Sequence, residues 1–252
     1  MTCKSLKRNC CISQFWYLSE ITPISSSILL SCYLQKVVHL LFKKKREYNI
    51  KKGFSDILKT AIKTGLFFGS FNPIHLGHLI IAGYILEYSD LDELWFVVSP
   101  QNPLKEKESL APDHLRLDMV RNAIPAGNKR IKVCDIEFSL PQPSFTIDTL
   151  NALTRMYNER EFVVIMGSDS IKNIAKWKEY LQILNSFKIM VYPRKGFRTT
   201  NQKMSKNIVL VEAPIVELSS TMIRRAIHEG KDVSFFVPAN VIPIILENQL
   251  YQ

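Results

Sequence analysis

The 252-residue chain has no uninterrupted apolar run long enough to read as a membrane span. Its best candidate, Ile24 to Phe42, is broken by Gln35, Lys36 and His39, and polar residues at those positions make a poor transmembrane helix. A basic start precedes apolar residues, but a clean hydrophobic region and a small-residue cleavage site are both missing, which argues against a secretory signal. No glycine-rich Gly-x-Gly-x-x-Gly follows the first apolar run, so a dinucleotide-binding dehydrogenase is disfavoured. No cluster of carboxylates suggests a dedicated metal site. Of five cysteines, Cys3, Cys10, Cys11 and Cys32 lie in the first 60 residues, which leaves no disulfide framework for the remainder. Cys134 reads as a small buried filler.

Negative charge is scarce in only one part of the chain. The formal net charge is +10, but residues 1–60 hold eleven Lys or Arg against three Asp or Glu. The rest is nearly balanced, so the basic character is not a nucleic-acid footprint of residues 61–252 and no nucleic-acid partner is expected there. Residues 1–60 are treated as an N-terminal extension. Their basic run Lys43-Lys44-Lys45-Arg46 would favour anionic lipid or nucleic acid. The preferred expectation is upstream sequence translated from a start assigned too early, although the next methionine is Met119 and a start near Ala61 would need another codon. Mapping the mature N-terminus by mass spectrometry tests this.

Residues 61–252 alternate short apolar runs with longer amphipathic segments. Thr64 to Phe68, Trp95 to Ser99, Ile131 to Phe138, Phe162 to Met166, Phe187 to Tyr192 and Ile208 to Val211 read as strands. Leu79 to Tyr88, Pro112-Asp113 to about Ile124, Ser170 to Leu184, Thr221 to Glu229 and Pro238 to Glu247 read as helices. Strands alternating with helices imply an α/β fold, a Rossmann-like parallel sheet flanked by helices.

The stretch Gly69-Ser70-Phe71-Asn72-Pro73-Ile74-His75-Leu76-Gly77-His78 lies between the first strand and the first helix. A small-residue turn opening a helix presents free backbone N–H groups to an anion. His75 and His78, spaced i, i+3, share a helical face and can address one ligand. Near the other end, Leu218-Ser219-Ser220-Thr221-Met222-Ile223-Arg224 offers a capping serine, hydroxyls and a guanidinium at a second helix start. Taken singly, the first could be a capped turn and the second an ordinary N-cap; together and in this order they describe a polyphosphate cradle.

Both segments resemble the signatures of the HxGH nucleotidyltransferase superfamily, Gly-x-Phe-Asn/Asp-Pro-x-His-x-Gly-His and Ile-Ser-Ser-Thr-x-Ile-Arg. Three flanking segments are similar to those of its nicotinate mononucleotide adenylyltransferase family. These are Pro100-Gln101-Asn102-Pro103-Leu104-Lys105, Pro143-Ser144-Phe145-Thr146-Ile147-Asp148-Thr149-Leu150, and Gly167-Ser168-Asp169 with Trp177 eight residues on. The resemblance implies transfer of AMP from ATP to nicotinate mononucleotide, giving nicotinate adenine dinucleotide and pyrophosphate. It makes His75, His78 and Arg224 catalytic. Gly69, Ser70, Phe71, Lys105, Gly167, Asp169, Ser219, Ser220 and Thr221 would meet ATP and its phosphates, and Asn72, Thr146 and Trp177 the pyridine nucleotide.

Each assignment has a plainer counterpart. Lys105 reads equally as a solvated loop lysine, Thr146 as a helix start, Asp148 as a helix-dipole partner, Ser168-Asp169 as a cap and Trp177 as core. Arg194, in a Pro193-Arg194-Lys195-Gly196 turn, either touches phosphate or is surface charge. Mg²⁺ is expected with ATP, because magnesium is usually held by substrate phosphates rather than by an all-protein cage. The resemblance also implies a cytoplasmic enzyme without a membrane partner for its catalytic domain, and a homo-oligomer is compatible with it.

Alternatives within the class take nicotinamide mononucleotide or phosphopantetheine; relatives using the latter usually carry Thr in place of His75. Lys203-Met204-Ser205-Lys206-Asn207 nearly spells a class I aminoacyl-tRNA synthetase motif. It precedes a strand, however, and the chain lacks the length for an anticodon-binding domain. A non-catalytic nucleotide-binding regulator would keep the cradle and lose turnover.

Overall fold

The computed structural model describes residues 61–100, 110–196 and 205–252. Lys105, Lys203, Met204 and the expectations made for residues 1–60 lie outside the described residues. Six strands form one sheet: β1 (Ile62–Gly69), β2 (Glu93–Val98), β3 (Ile131–Cys134), β4 (Arg160–Gly167), β5 (Lys188–Tyr192) and β6 (Ile208–Leu210), in the order β3-β2-β1-β4-β5-β6. Every adjacent pair is parallel, as strands separated by helical crossovers require.

The sheet is buried on both faces, which is why its central strands read as continuous apolar runs. Side chains alternate between two cores. Phe67, Phe96, Val163 and Ile165 face one core with Ile81, Ile85, Met119, Ile223 and Ile245. Leu66, Val97, Val164 and Met166 face the other with Ile147, Leu150, Leu153 and Ile183. The first layer thus takes α1 (Leu76–Tyr88), α2 (Asp113–Ala123), α6 (Ser220–His228) and α7 (Ile242–Glu247), and the second takes α3 (Thr146–Met156) and α5 (Tyr180–Ser186). Cys134 is buried, and burial pushes its thiol up to about 11, consistent with an inert filler.

Several boundaries differ from the sequence reading, each for a physical reason. Helix α1 begins at Leu76, because His75 takes extended backbone angles and serves as its N-cap. The strand expected over residues 131–138 stops at Cys134, where pairing with β2 ends, and Ile136–Phe138 is a 3-10 turn. That turn buries Glu137, whose carboxylate accepts hydrogen bonds from Ser144 Oγ and Thr149 Oγ1, both at 2.8 Å. The single helix expected over residues 170–184 is divided into α4 (Ser168–Lys172), a 3-10 turn (Ile174–Lys176) and α5. Trp177 is extended and Glu179 is left-handed at φ 50, a conformation that cannot continue a right-handed helix. The closing helix expected over residues 238–247 begins as a 3-10 turn, Ala239–Val241.

The order of strands reverses between β1 and β4, and at such a switch point the carboxyl ends of the strands open a crevice. Its floor is organised by Arg116 of α2, which is 0% exposed. The guanidinium donates to the carbonyls of Ser70 (2.7 Å), Ser99 (2.6 Å), Pro100 (2.8 Å) and Ala111 (3.0 Å), and pairs with Asp113. A lysine cannot reproduce that planar fork. Arg116→Met strips donors from four carbonyls and is expected to destabilise the fold by about 3 kcal/mol or more, with Arg116→Lys intermediate. The urea midpoint of the full chain, followed by circular dichroism, checks this.

Candidate active site

A cleft of about 850 Å³ opens at the switch point. Fourteen of the fifteen expected site residues line it: Gly69, Ser70, Phe71, Asn72, His75, His78, Thr146, Gly167, Asp169, Trp177, Ser219, Ser220, Thr221 and Arg224. The fifteenth, Lys105, lies outside the described residues. The volume is within the range of roughly 300–1,000 Å³ typical of small-molecule sites.

The first wall is the loop that leaves β1. A Cβ on Gly69 would sit 2.8 Å from the Phe71 ring, so only glycine allows Phe71 to fold back there. Phe71 is itself left-handed at φ 45, an unfavourable conformation for a bulky residue that surrounding packing must maintain. Its ring packs edge-on against Phe96 at 5.3 Å and His78 at 5.1 Å. The following Asn72–Pro73 bond is cis.

His75 and His78 stack at 3.7 Å between centroids with 23° between planes, so both imidazoles face one place. His78 Nδ1 accepts the backbone N–H of His75 at 3.3 Å. In the neutral ring that leaves the proton on Nε2 as a donor. His75 is 4% exposed, and burial, reinforced by the positive charge of Arg194, lowers its pKa to about 4.

The second wall is the start of α6. Ser219 caps it by accepting Met222 N–H at 3.2 Å. Ser220 Oγ donates to the carbonyl of Pro73 at 2.9 Å, and Arg224 Nη1 donates to that of Asn72 at 2.9 Å. These two bonds bring the second signature onto the first across most of the domain.

Beyond β4, Gly167 leaves room for the Asp169 carboxylate and the Arg194 side chain, both of which a Cβ would meet. Ser168 is not a helix cap; its Oγ accepts the backbone N–H of Arg194 at 2.9 Å. Arg194 lies over the Tyr192 ring, 5.4 Å from its centroid, and its Nε is 3.9 Å from Asp169 Oδ1. The structure therefore brings Arg194 into the cleft. Among the described residues five buried side-chain polar atoms have no hydrogen-bond partner: Trp95 Nε1 and Arg160 Nε away from the cleft, and His75 Nδ1, Arg194 Nε and Asp169 Oδ1. The last three belong to cleft residues, and buried polar atoms left unpaired in this way are costly.

The third wall holds Thr146 at the first position of α3, and Trp177 also lines the cleft. Asp148 is held by Lys178, whose Nζ donates to both carboxylate oxygens at 3.0 and 2.9 Å and lies 5.0 Å from the centroid of the Phe145 ring. Sequence reasoning missed Arg116, Glu137, Lys178 and Tyr251 as supports of this cleft. Only Glu137 had a readable signal, in the Ser144 and Thr149 hydroxyls that need a buried acceptor. Ser205 and Asn207 of the synthetase-like segment instead hydrogen-bond the carbonyl of Leu184, at 3.2 and 3.1 Å, and do not line the cleft.

Stacked histidines at a helix start, two arginines and a serine-capped second helix thus converge on one switch point. A family model described as cytidylyltransferase-like matches residues 66–226. Among curated relatives, a probable nicotinate-nucleotide adenylyltransferase of Bacteroides fragilis is 48% identical over 185 residues, 73% of this chain and 92% of that protein. One from Flavobacterium johnsoniae is 47% identical over 193 residues, 76% of this chain and 100% of the relative. The chain belongs to the nicotinate-nucleotide adenylyltransferase family. Among solved structures, Plasmodium falciparum nicotinic acid mononucleotide adenylyltransferase complexed with NaAD shares the fold with a TM-score of 0.65 at 21% identity, over 75% of this chain and 97% of that one.

The depressed His75 pKa has a sign. Between about pH 6.5 and 4 the unfolded chain binds a proton on this residue that the folded chain does not, so its contribution lowers stability as pH falls through that window. The slope is at most about 1.4 kcal/mol per pH unit. Denaturation at pH 7 and pH 4.5 is expected to show a larger acid loss for the natural protein than for His75→Gln.

Proposed function

We propose that the protein joins AMP from ATP to nicotinate mononucleotide, yielding nicotinate adenine dinucleotide and pyrophosphate. The observation that carries this reading is the convergence of both signatures on one cleft, which also holds three of the five unpaired buried polar atoms. The relatives' names support the choice of nucleotide.

In the proposed reaction an oxygen of the mononucleotide phosphate attacks the α-phosphorus of ATP, and the bond to the β-phosphate oxygen breaks. No protein nucleophile is needed; the protein positions two anions and stabilises the charge that develops. His78 Nε2–H, the start of α1 and Arg224 are assigned to the phosphates. Arg194 joins them, because its Nε is buried and unpaired and its charge already acts on His75. An incoming phosphate would favour protonated His75, so binding opposes the effect of burial. Asp169 is assigned to the ribose hydroxyls, with Gly167 beside it.

Among the described residues no group of three or more His, Cys, Asp or Glu can hold a metal ion. Mg²⁺ is proposed to arrive on the ATP phosphates, whose negative charge it offsets when bound. We assign catalysis to residues 61–252 and place the reaction in the cytoplasm, where its substrates occur. No helix of the described residues is long and apolar enough to cross a membrane.

Nicotinate differs from nicotinamide by a negative charge. Thr146 opens α3, a helix of 11 residues, and a helix start favours an anion. Trp177, which also lines the cleft, is assigned to the pyridine ring, on which its indole can stack. Pyrophosphate release should be measured with nicotinate mononucleotide, nicotinamide mononucleotide and phosphopantetheine offered separately. Strong preference for the first is expected; preference for another acceptor overturns the roles of Thr146 and Trp177. His78→Ala is expected to lower turnover at least about tenfold, and a near-normal rate removes His78 from the site.

A further inference from the structure

We propose that Tyr251 is a positioning residue for this reaction, its hydroxyl holding the Asn72 side chain and through it the loop that presents His75 and His78. Tyr251 Oη donates to Asn72 Oδ1 at 2.7 Å, and the backbone N–H of Ala111 donates to the same oxygen at 3.0 Å. The Asn72 carbonyl in turn accepts Arg224 Nη1 at 2.9 Å. One residue, 2% exposed, is therefore gripped by three segments distant in sequence. Its neighbour on one side is left-handed Phe71, and on the other Pro73, whose carbonyl accepts Ser220.

The chain beyond α7 is shaped to deliver this hydroxyl. Gln249 and Tyr251 are both left-handed, at φ 50 and 67, and such conformations in non-glycine residues persist only where surrounding structure requires them. Between them Leu250 is buried in the first core and donates its N–H to Ile245 O at 2.9 Å. Alternating strained and anchored residues turn the chain so that the Tyr251 ring lies against that core with its hydroxyl on Asn72. Burial pushes the phenol above its ordinary pKa, so it remains a donor at neutral pH. Losing that donor removes one of the hydrogen bonds on the Asn72 amide oxygen, and Phe71, already unfavourable, is the residue that relaxes first.

The effect on turnover rests on the proposed reaction; the effect on the loop does not. Tyr251→Phe keeps the ring and removes the oxygen. In the full chain, kcat is expected to fall about tenfold, with KM for ATP within about threefold of the natural value. Amide exchange across residues 69–76 is expected to quicken about tenfold while β5 is unchanged. In an Asn72→Ala background, Tyr251→Phe is expected to change kcat less than about twofold, because the route through Asn72 is already broken. Natural exchange in the loop, faster exchange spread evenly over the sheet, or the full loss of kcat in the Asn72→Ala background each overturns the proposal. If the natural protein releases no pyrophosphate from any acceptor, the proposed reaction fails and the exchange measurement alone decides the role of Tyr251.

Discussion

The buried guanidinium of Arg116 is the constraint on which the cleft depends. A cation without solvent contact is tolerable only when every donor finds an acceptor, and here the acceptors are the carbonyls of Ser70, Ser99, Pro100 and Ala111 and the Asp113 carboxylate. Because Ser70 follows β1 and Ser99 follows β2, the same group fixes the exits of two neighbouring strands relative to α2. The loop carrying the histidines starts at that fixed point, and Ala111, whose carbonyl Arg116 also binds, returns an N–H to Asn72. Removing the charge would loosen the floor and one wall together.

The opposite balance holds in the cleft itself. Arg194 and Arg224 converge on it, with the Asp169 carboxylate near Arg194 but too far from it for a hydrogen bond. Cations left under-compensated by the protein suit a polyanionic ligand, and the charge of Arg194 adds to burial in lowering the pKa of His75. The cleft is thus organised before substrate arrives, and little reorganisation is required when charge moves from the attacking to the leaving phosphate.

How much of this was readable in the sequence depended on the kind of signal. Central strands such as Phe162 to Met166 were visible because a parallel sheet buried on both faces demands apolar residues at every position. The two segments that line the cleft from β1 and α6 were visible because they carry particular side chains in short, fixed spacings. The break at Trp177 to Glu179 was not, since a left-handed glutamate carries no glycine or proline to announce it. Arg116 looked like any charged residue on an amphipathic helix, and Tyr251 like a tail aromatic. Their roles lie in distances between segments far apart in the chain, and periodicity within a segment carries no trace of them.

The bonds from Ser220 and Arg224 to the first loop join residues 147 and 152 positions apart. During synthesis, the histidine loop leaves the ribosome long before its partners exist. A nascent chain stopped between β4 and α6 has the strands of the switch point but only one side of the cleft. Nucleotide therefore cannot template early folding of this domain; it can reward only a chain whose far end has come home.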